Sequence, residues 1–393
     1  MIGITLIEKS NRMTWVAFAM LLLFAIGLRL YGLGNEAPWF DEVLSFHFNT
    51  EEGLGVFLDQ VTVKSSPVSP LFFVLNYGWM KLFGDAPVTI RYLCVLLSTG
   101  SLIFFFLLAK NVLGNTGSLL ALSFMAFSEY HIYYAQEIRM YPLVLCMAAF
   151  SLWSFQVNLK QQSTFWLMLN IVANALLMWT HLYGVFLIMA QGITYLILRP
   201  RAVLSWFTWG LGHIPHGLIF FLWYFTRNHK IMDAQVDWIG PANHITYLQF
   251  LTWNHTFLPE TWAYTYWGKY LLLPVFILAL TGLLVSLFKA EHRKHSFYIL
   301  ALCLPLLLLP LLIVFVAEHL GEHLGITRYF IFASMGMYLL LAAAVPYSIQ
   351  ATSLQRHCGH AHFFYKPGNY YSAALSFRLG TGQSPTGCAR KTW

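Results

Sequence analysis

The sequence predicts an all-α polytopic membrane protein: about ten transmembrane helices, with interfacial helices in the first external loop. Three observations carry this. Of 393 residues, 58% are hydrophobic and 10% charged, with a mean hydropathy of +0.61, whereas a soluble domain carries roughly a quarter charged residues. Apolar runs of about 20 residues, the length that crosses the hydrocarbon core, recur along the chain. Lys and Arg in the short connections fall mainly in every other connection, and so on one side, as the positive-inside bias requires. The formal charge of +7 is scattered as singles and pairs. With no basic patch or stripe, a nucleic-acid partner is excluded. Cys94, Cys146, Cys303, Cys358 and Cys388 form no CxxC, so neither a disulfide framework nor a zinc site is indicated.

The first apolar run, 13–30, is too long for a signal-peptide core and lacks a small-residue cleavage site, so it reads as an uncleaved anchor. Nine further spans follow at 92–109, 116–134, 141–157, 164–180, 185–198, 203–225, 270–288, 297–316 and 329–349. With the N-terminus cytoplasmic, that side carries Lys9, Arg12, Lys110, Lys160, Arg199, Arg201, Lys289, Arg293, Lys294 and Arg356. The short external connections carry only Arg139 and Arg328. Of the sixteen acids, Glu8 and Glu291 alone fall inside. Topology does not demand that asymmetry, because acids contribute little to orientation. It places the polar work on the external face. Between the first two spans, residues 69–83 read as an interfacial amphipathic helix. The second long external segment carries Trp238, Trp253, Trp262 and Trp267, suited to the headgroup layer or to sugar rings. Residues 1–349 form one transmembrane module; 350–393 read as a polar cytoplasmic tail.

Chemistry-bearing residues gather where spans meet water. Asp41 and Glu42 follow the first span in Pro38-Trp39-Phe40-Asp41-Glu42-Val43-Leu44-Ser45. As neighbours they cannot face the same way on a helix, so one faces a reaction centre while the other caps or pairs locally. From two letters alone a solvated loop start is the commoner reading; the position beyond Arg29-Leu30-Tyr31 raises the functional one. Gln136, Glu137, Arg139 and Tyr141 sit in the tight connection between the third and fourth spans. An Arg there binds lipid headgroups or grips a phosphate with its planar fork. Arg328 at the mouth of the last span is a snorkelling anchor or, with Arg139, Arg29 and Arg91, part of a phosphate site. His181, in Thr180-His181-Leu182-Tyr183-Gly184, is structural, catalytic or metal-binding. Glu318, His319, Glu322 and His323 lack the order of a zinc protease.

These pieces, taken together, resemble the GT-C-fold integral-membrane glycosyltransferases. The nearest branch is the protein O-mannosyltransferase-like and lipid A aminoarabinose transferase-like one. The matching stretches are Arg29-Leu-Tyr-Gly-Leu, Trp39-Phe-Asp-Glu-Val-Leu-Ser, Ser66-Pro-Val-Ser-Pro-Leu, Leu82-Phe-Gly-Asp and Ile90-Arg-Tyr-Leu, followed by His131-Ile-Tyr-Tyr-Ala-Gln-Glu-Ile-Arg-Met-Tyr, Thr180-His-Leu-Tyr-Gly and Thr327-Arg-Tyr-Phe. They run in the family's order over about residues 25–345. Where the family pattern has His-Pro-Pro-Leu-Tyr, this chain has Ser66-Pro67-Val68-Ser69-Pro70-Leu71 and no His. The polar tail also replaces the family's further spans or external domain, so the C-terminus reads as truncated or aberrant.

The resemblance implies a GT-C-like bundle and an inverting transfer of a sugar from a polyprenyl- or dolichyl-phosphate donor. The acceptor would be a glycan, a lipid or a protein, with membrane lipids as surroundings. The enzyme would sit in the bacterial inner membrane with its site on the external face. Asp41 would be the general base, and Glu42 would hold the loop. Arg139 and Arg328 would stabilise the leaving phosphate. Gln136, Tyr141, His181, Arg29 and Arg91 would complete the substrate-binding set. Glu137 would orient Arg139 or help hold a divalent ion, the one cofactor this leaves open. The alternatives are a transporter or flippase of lipid-linked sugars, for which Asn170 and Asn174 on one helix face are the best sign, and a polysaccharide ligase or polymerase.

Overall fold

The computed structural model describes residues 2–49, 53–59, 69–226, 241–242, 272–290, 292–321, 323 and 325–345. The Ser66-Pro67 stretch, the tryptophan-rich segment and the tail lie outside the described residues. Every described element is helical. In chain order these are α1 (Ile2–Leu30), α2 (Phe40–Asn49), α3 (Leu54–Asp59), α4 (Leu71–Phe83), α5 (Pro87–Phe127), α6 (Glu129–Gln136), α7 (Tyr141–Gln161), α8 (Thr164–Thr180), α9 (Gly184–Leu198) and α10 (Val203–Phe225). Then come α11 (Leu272–Ser286), α12 (Arg293–His319) and α13 (Thr327–Val345), whose first seven residues, Thr327–Ala333, are 3-10. Five are long and apolar enough to cross a membrane: α1 from Asn11 onward, α5, α7, α12 and α13. With the shorter apolar α8, α9 and α11 beside them, the chain is a multi-pass membrane protein.

Each expected span falls on helix, but α5 holds the second and most of the third, as two helical limbs joined at Gly114. At 1.5 Å per residue a straight rod would hold Ser98 and Ala126 about 42 Å apart. Both touch a single side chain: Arg29 Nε donates to Ser98 Oγ at 2.9 Å, and Nη1 to the Ala126 carbonyl at 3.1 Å. So α5 doubles back. The reversal is at Gly114, with φ 76° and ψ −165°, a backbone region open chiefly to glycine. The two limbs flank α1. At one end Lys110 of the descending limb meets Asn11 and the Trp15 ring; at the other, Phe127 of the ascending limb meets Phe24. The third expected span then breaks at Ser128, whose extended backbone separates α5 from α6.

Two layers of contact hold the bundle. A large apolar core joins α1, α5, α7, α9, α12 and α13. A polar cluster lies in the middle of α7–α10. Asn174 donates to Gln191 (2.9 Å), Gln191 to Ser151 (2.7 Å) and Trp209 to Asn170 (2.8 Å). Asn170 and Asn174 are wholly buried and spend their amides between helices. That is the packing use of polar groups within a membrane rather than a transport path.

Successive helices alternate direction, so one end of the bundle collects the C-termini of α1, α6, α8 and α12 and the N-termini of α2, α5, α7, α9 and α13. The opposite end carries Lys110, Lys160 and Arg199. Lys160 and Arg199 donate to the Asn111 and Leu159 carbonyls. Arg29 is the chief clamp of the first end. Fully buried, it also donates to the Ala25 (3.1 Å) and Met125 (3.4 Å) carbonyls. Replacing Arg29 by Ala strips these acceptors of their donor and should cost about 1–3 kcal/mol. Thermal unfolding in detergent should show a clear drop for Ala and a smaller one for Lys; an unchanged midpoint would remove Arg29 as the clamp.

Candidate functional site

The site is assembled by the start of α2. Trp39 is its N-cap, with the Val43 N–H donating to the Trp39 carbonyl at 2.9 Å. Glu42, three residues on, accepts back from the Trp39 N–H at 3.3 Å. This is half of a capping box, and both acids favour the positive end of the helix dipole. The same Glu42, only 2% exposed, takes the Arg91 guanidinium on both oxygens at 3.1–3.4 Å. Its Oε1 also accepts the Ile138 N–H at 2.8 Å. Arg91 completes its shell on the Leu33 and Glu36 carbonyls. Glu42 therefore ties α2, the head of α5 and the α6–α7 turn to one point.

Asp41 turns the other way, as neighbours on a helix must. Its Oδ2 lies 3.7 Å from both Arg139 Nη2 and Arg328 Nη2. These are ion pairs longer than a hydrogen bond, so the carboxylate keeps lone pairs open. The three side chains are 12–21% exposed, and the Arg328 guanidinium stands 5.9 Å from the Trp39 ring. Arg139 is held from below by α2, donating through Nη1 to the Asp41 carbonyl and to Ser45 Oγ, both at 3.2 Å. Ser45 is wholly buried. The sequence reading did not single it out, although its place one turn after Asp41 puts it on the same face. Tyr183 and Tyr329, which wall His181, were missed in the same way.

The remaining expected residues divide. Gln136 donates to the Arg29 and Tyr31 carbonyls at 3.0 and 2.8 Å, tying the α6–α7 turn to the end of α1. Tyr141 is 1% exposed and its hydroxyl has no partner among the described residues. His181 accepts the Tyr183 N–H on Nδ1 at 3.1 Å, and its ring lies 4.9 Å from that of Tyr329, next to Arg328. Arg29 and Arg91 make no contact with Asp41 among those described, and every guanidinium contact described for them is spent on protein, Arg91 on neighbouring Glu42. Glu137 is buried in the α6–α7 turn. It makes no ion pair with Arg139, and neither carboxylate oxygen has a well-formed hydrogen bond. Burial pushes its carboxyl up to about 7, against the pull of the neighbouring Tyr133 hydroxyl and of Arg139. Among the described residues no group of three or more His, Cys, Asp or Glu comes together around a metal-sized space. A divalent ion would find Glu137 and a substrate phosphate, not a protein cage. Glu318 pairs with His323 at 2.9 Å, while His319 turns to the Phe315 carbonyl.

No protein-family model matches the sequence, and no curated protein sequence matches it. Solved structures do. The oligosaccharyltransferase of Archaeoglobus fulgidus in its apo form superposes with a TM-score of 0.53 at 11% identity, over 88% of this chain and 52% of that one. The same archaeal enzyme, AglB, in complex with an inhibitory peptide and a dolichol-phosphate, gives 0.50 at 11% identity over 90% and 52%. The chain shares the GT-C fold. It spans about half the length of these oligosaccharyltransferase chains. ArnT from Cupriavidus metallidurans in the apo state superposes more loosely, at 0.46 and 14% identity over 85% and 77%.

The Glu137 carboxyl gives a testable sign. A carboxyl raised in the folded state binds more protons folded than unfolded, so stability falls as pH climbs from the ordinary carboxylate range through about 7. Glu137→Gln should flatten that fall, unfolding at a higher temperature than the unsubstituted protein at pH 8 and at a similar one at pH 5. A parallel pH dependence in the two proteins would show that Glu137 is not held this way.

Proposed function

We propose that this chain is an inverting glycosyltransferase. It takes a sugar from a polyprenyl- or dolichyl-phosphate donor and delivers it to a hydroxyl-bearing acceptor (glycan, lipid or protein) on the external face of the membrane, the bacterial inner membrane being the setting. The observation that carries the reading is one carboxylate, Asp41, flanked by two guanidinium groups at the polar end of a GT-C bundle. AglB, which shares the fold, was solved with a dolichol-phosphate. The positive-inside bias puts the Lys110–Lys160–Arg199 end in the cytoplasm and the Asp41 end outside.

The chemistry follows from the charges. Glu42 is neutralised by Arg91, so with the raised Glu137 carboxyl protonated, Arg139 and Arg328 against Asp41 leave one cation in excess. A phosphodiester donor brings one negative charge, and its leaving phosphate gains another as the glycosidic bond breaks. Paired guanidinium groups suit planar recognition of phosphate, and in a water-poor site they stabilise the growing charge without having to reorganise. Asp41 takes the proton of the acceptor hydroxyl as that oxygen attacks the anomeric carbon from the face opposite the phosphate, which inverts the centre. Positioned proton transfer contributes about 10²–10⁴-fold.

In vesicles loaded with a polyprenyl-phosphate sugar, Asp41→Asn should lose transfer by at least about two orders of magnitude while inserting normally. Full activity would reject the base assignment. Arg139→Ala should weaken donor binding more than Arg139→Lys, since a point charge retains part of the attraction; equal small effects would leave Arg139 a headgroup anchor.

A further inference from the structure

His181 sits in a turn with little freedom. Its N–H closes α8 on the Leu177 carbonyl at 3.0 Å, and the Gly184 N–H returns to the His181 carbonyl at 2.9 Å. A side chain at Gly184 would place its Cβ 2.7 Å from Leu177 Cγ, so glycine is what lets α9 start so near the end of α8. The imidazole stands edge-on to Tyr183 (5.4 Å, 86°) and tilted against Tyr329 (4.9 Å, 55°). Because the Tyr183 N–H donates to Nδ1, that nitrogen is the acceptor of a neutral ring, and the proton resides on Nε2. Nε2–H has no acceptor among the described residues, yet it is not among the atoms sealed from solvent. It is a donor held in place with nothing among the described residues to give to.

We propose that His181 is a phosphate-binding residue, its neutral Nε2–H donating to a non-bridging phosphate oxygen of the lipid-linked donor beside Arg139 and Arg328. This rests on the reading of the site as a phosphate-sugar transferase. The charged and titratable groups around the ring fit it: Arg139 from the α6–α7 turn, Arg328 and Tyr329 from α13, and Tyr183 from its own turn. Burial and the two cations hold the imidazole down to about 3, so it adds a hydrogen bond without adding a third positive charge. An imidazolium there would hold the phosphate product more tightly and slow its release; a neutral donor avoids this. The plainer role, a histidine that only closes the turn, uses Nδ1 rather than Nε2.

The two nitrogens can be told apart. A Gln amide reaches to about where Nε2 lies, whereas an Asn amide reaches only to the Nδ1 position. Undecaprenyl phosphate binding to the full chain in lipid nanodiscs, and KM and kcat for transfer, would be measured for His181→Gln, His181→Asn and His181→Ala. A phosphate donor role predicts about tenfold weaker lipid-phosphate binding in Asn and Ala, the loss of roughly one charge-assisted hydrogen bond, with Gln restoring most of it and the change appearing in KM. A turn-closing role predicts the reverse order: Asn near normal, and Gln and Ala equally impaired with lowered thermal stability. That order, or Asn and Ala binding as well as the unsubstituted chain, would overturn the proposal. Failure of the unsubstituted chain to bind undecaprenyl phosphate would overturn the transferase reading along with it.

Discussion

The ion pair of Glu42 with Arg91 is the constraint on which the site depends. It is buried on both sides, 2% and 6% exposed, and it reaches three chain segments that are remote in sequence. Taking both charges out of water is costly, and such a pair repays that cost only when the leftover hydrogen-bonding capacity is also met. Here it is met: Glu42 accepts from Trp39 and Ile138, and Arg91 donates to Leu33 and Glu36. The consequence is geometric. With Glu42 fixed inward, the preceding residue must look away from α5, and that direction is where Arg139 and Arg328 stand. Removing either partner strands a buried charge, at a typical cost of about 3–5 kcal/mol, and frees the α6–α7 turn at the same stroke.

Around that anchor the bundle separates its tasks. Apolar faces and the Asn170–Asn174–Gln191 cluster fix how the helices pack. Arg29 and Gln136 fasten the polar end of α1. Among the described residues, buried polar atoms without a well-formed hydrogen bond include the Glu137 carboxyl, the Tyr141 hydroxyl and Arg139 Nε at the Asp41 end, and others on Gln156 of α7 and His216 of α10. Unmet polar capacity in a folded core is expensive, and at the Asp41 end it stands beside two guanidinium groups, a setting suited to a polar ligand.

Much of this was legible in the sequence. Apolar length and Lys/Arg sidedness placed the spans because a bilayer leaves backbone few choices. The sequence could also separate Asp41 from Glu42, since helix geometry forbids adjacent side chains a common direction. It could not say which carboxylate turned inward, because that depends on Arg91, 49 residues away. For the same reason Arg29 and Arg91 stood in the substrate-binding set beside Arg139 and Arg328. Arg29 and Arg91 are distinguished only by the carbonyls and the carboxylate that the fold brings to them. Ser45 and Tyr329 carry no signal of their own beyond their spacing. The two helices on either side of Gly114 were legible as two spans, but not the hinge of a single glycine that joins them.

The central claim is that Arg139 and Arg328, sharing Asp41, form a seat for one lipid-linked phosphate. The most direct test is the phosphorus resonance of undecaprenyl phosphate titrated with the full chain in nanodiscs, for the unsubstituted protein, Arg328→Ala, and Lys110→Ala at the opposite end of the bundle. The account predicts a saturable shift that Lys110→Ala preserves and Arg328→Ala abolishes. A shift that survives Arg328→Ala unchanged, or that disappears with Lys110→Ala, would contradict it.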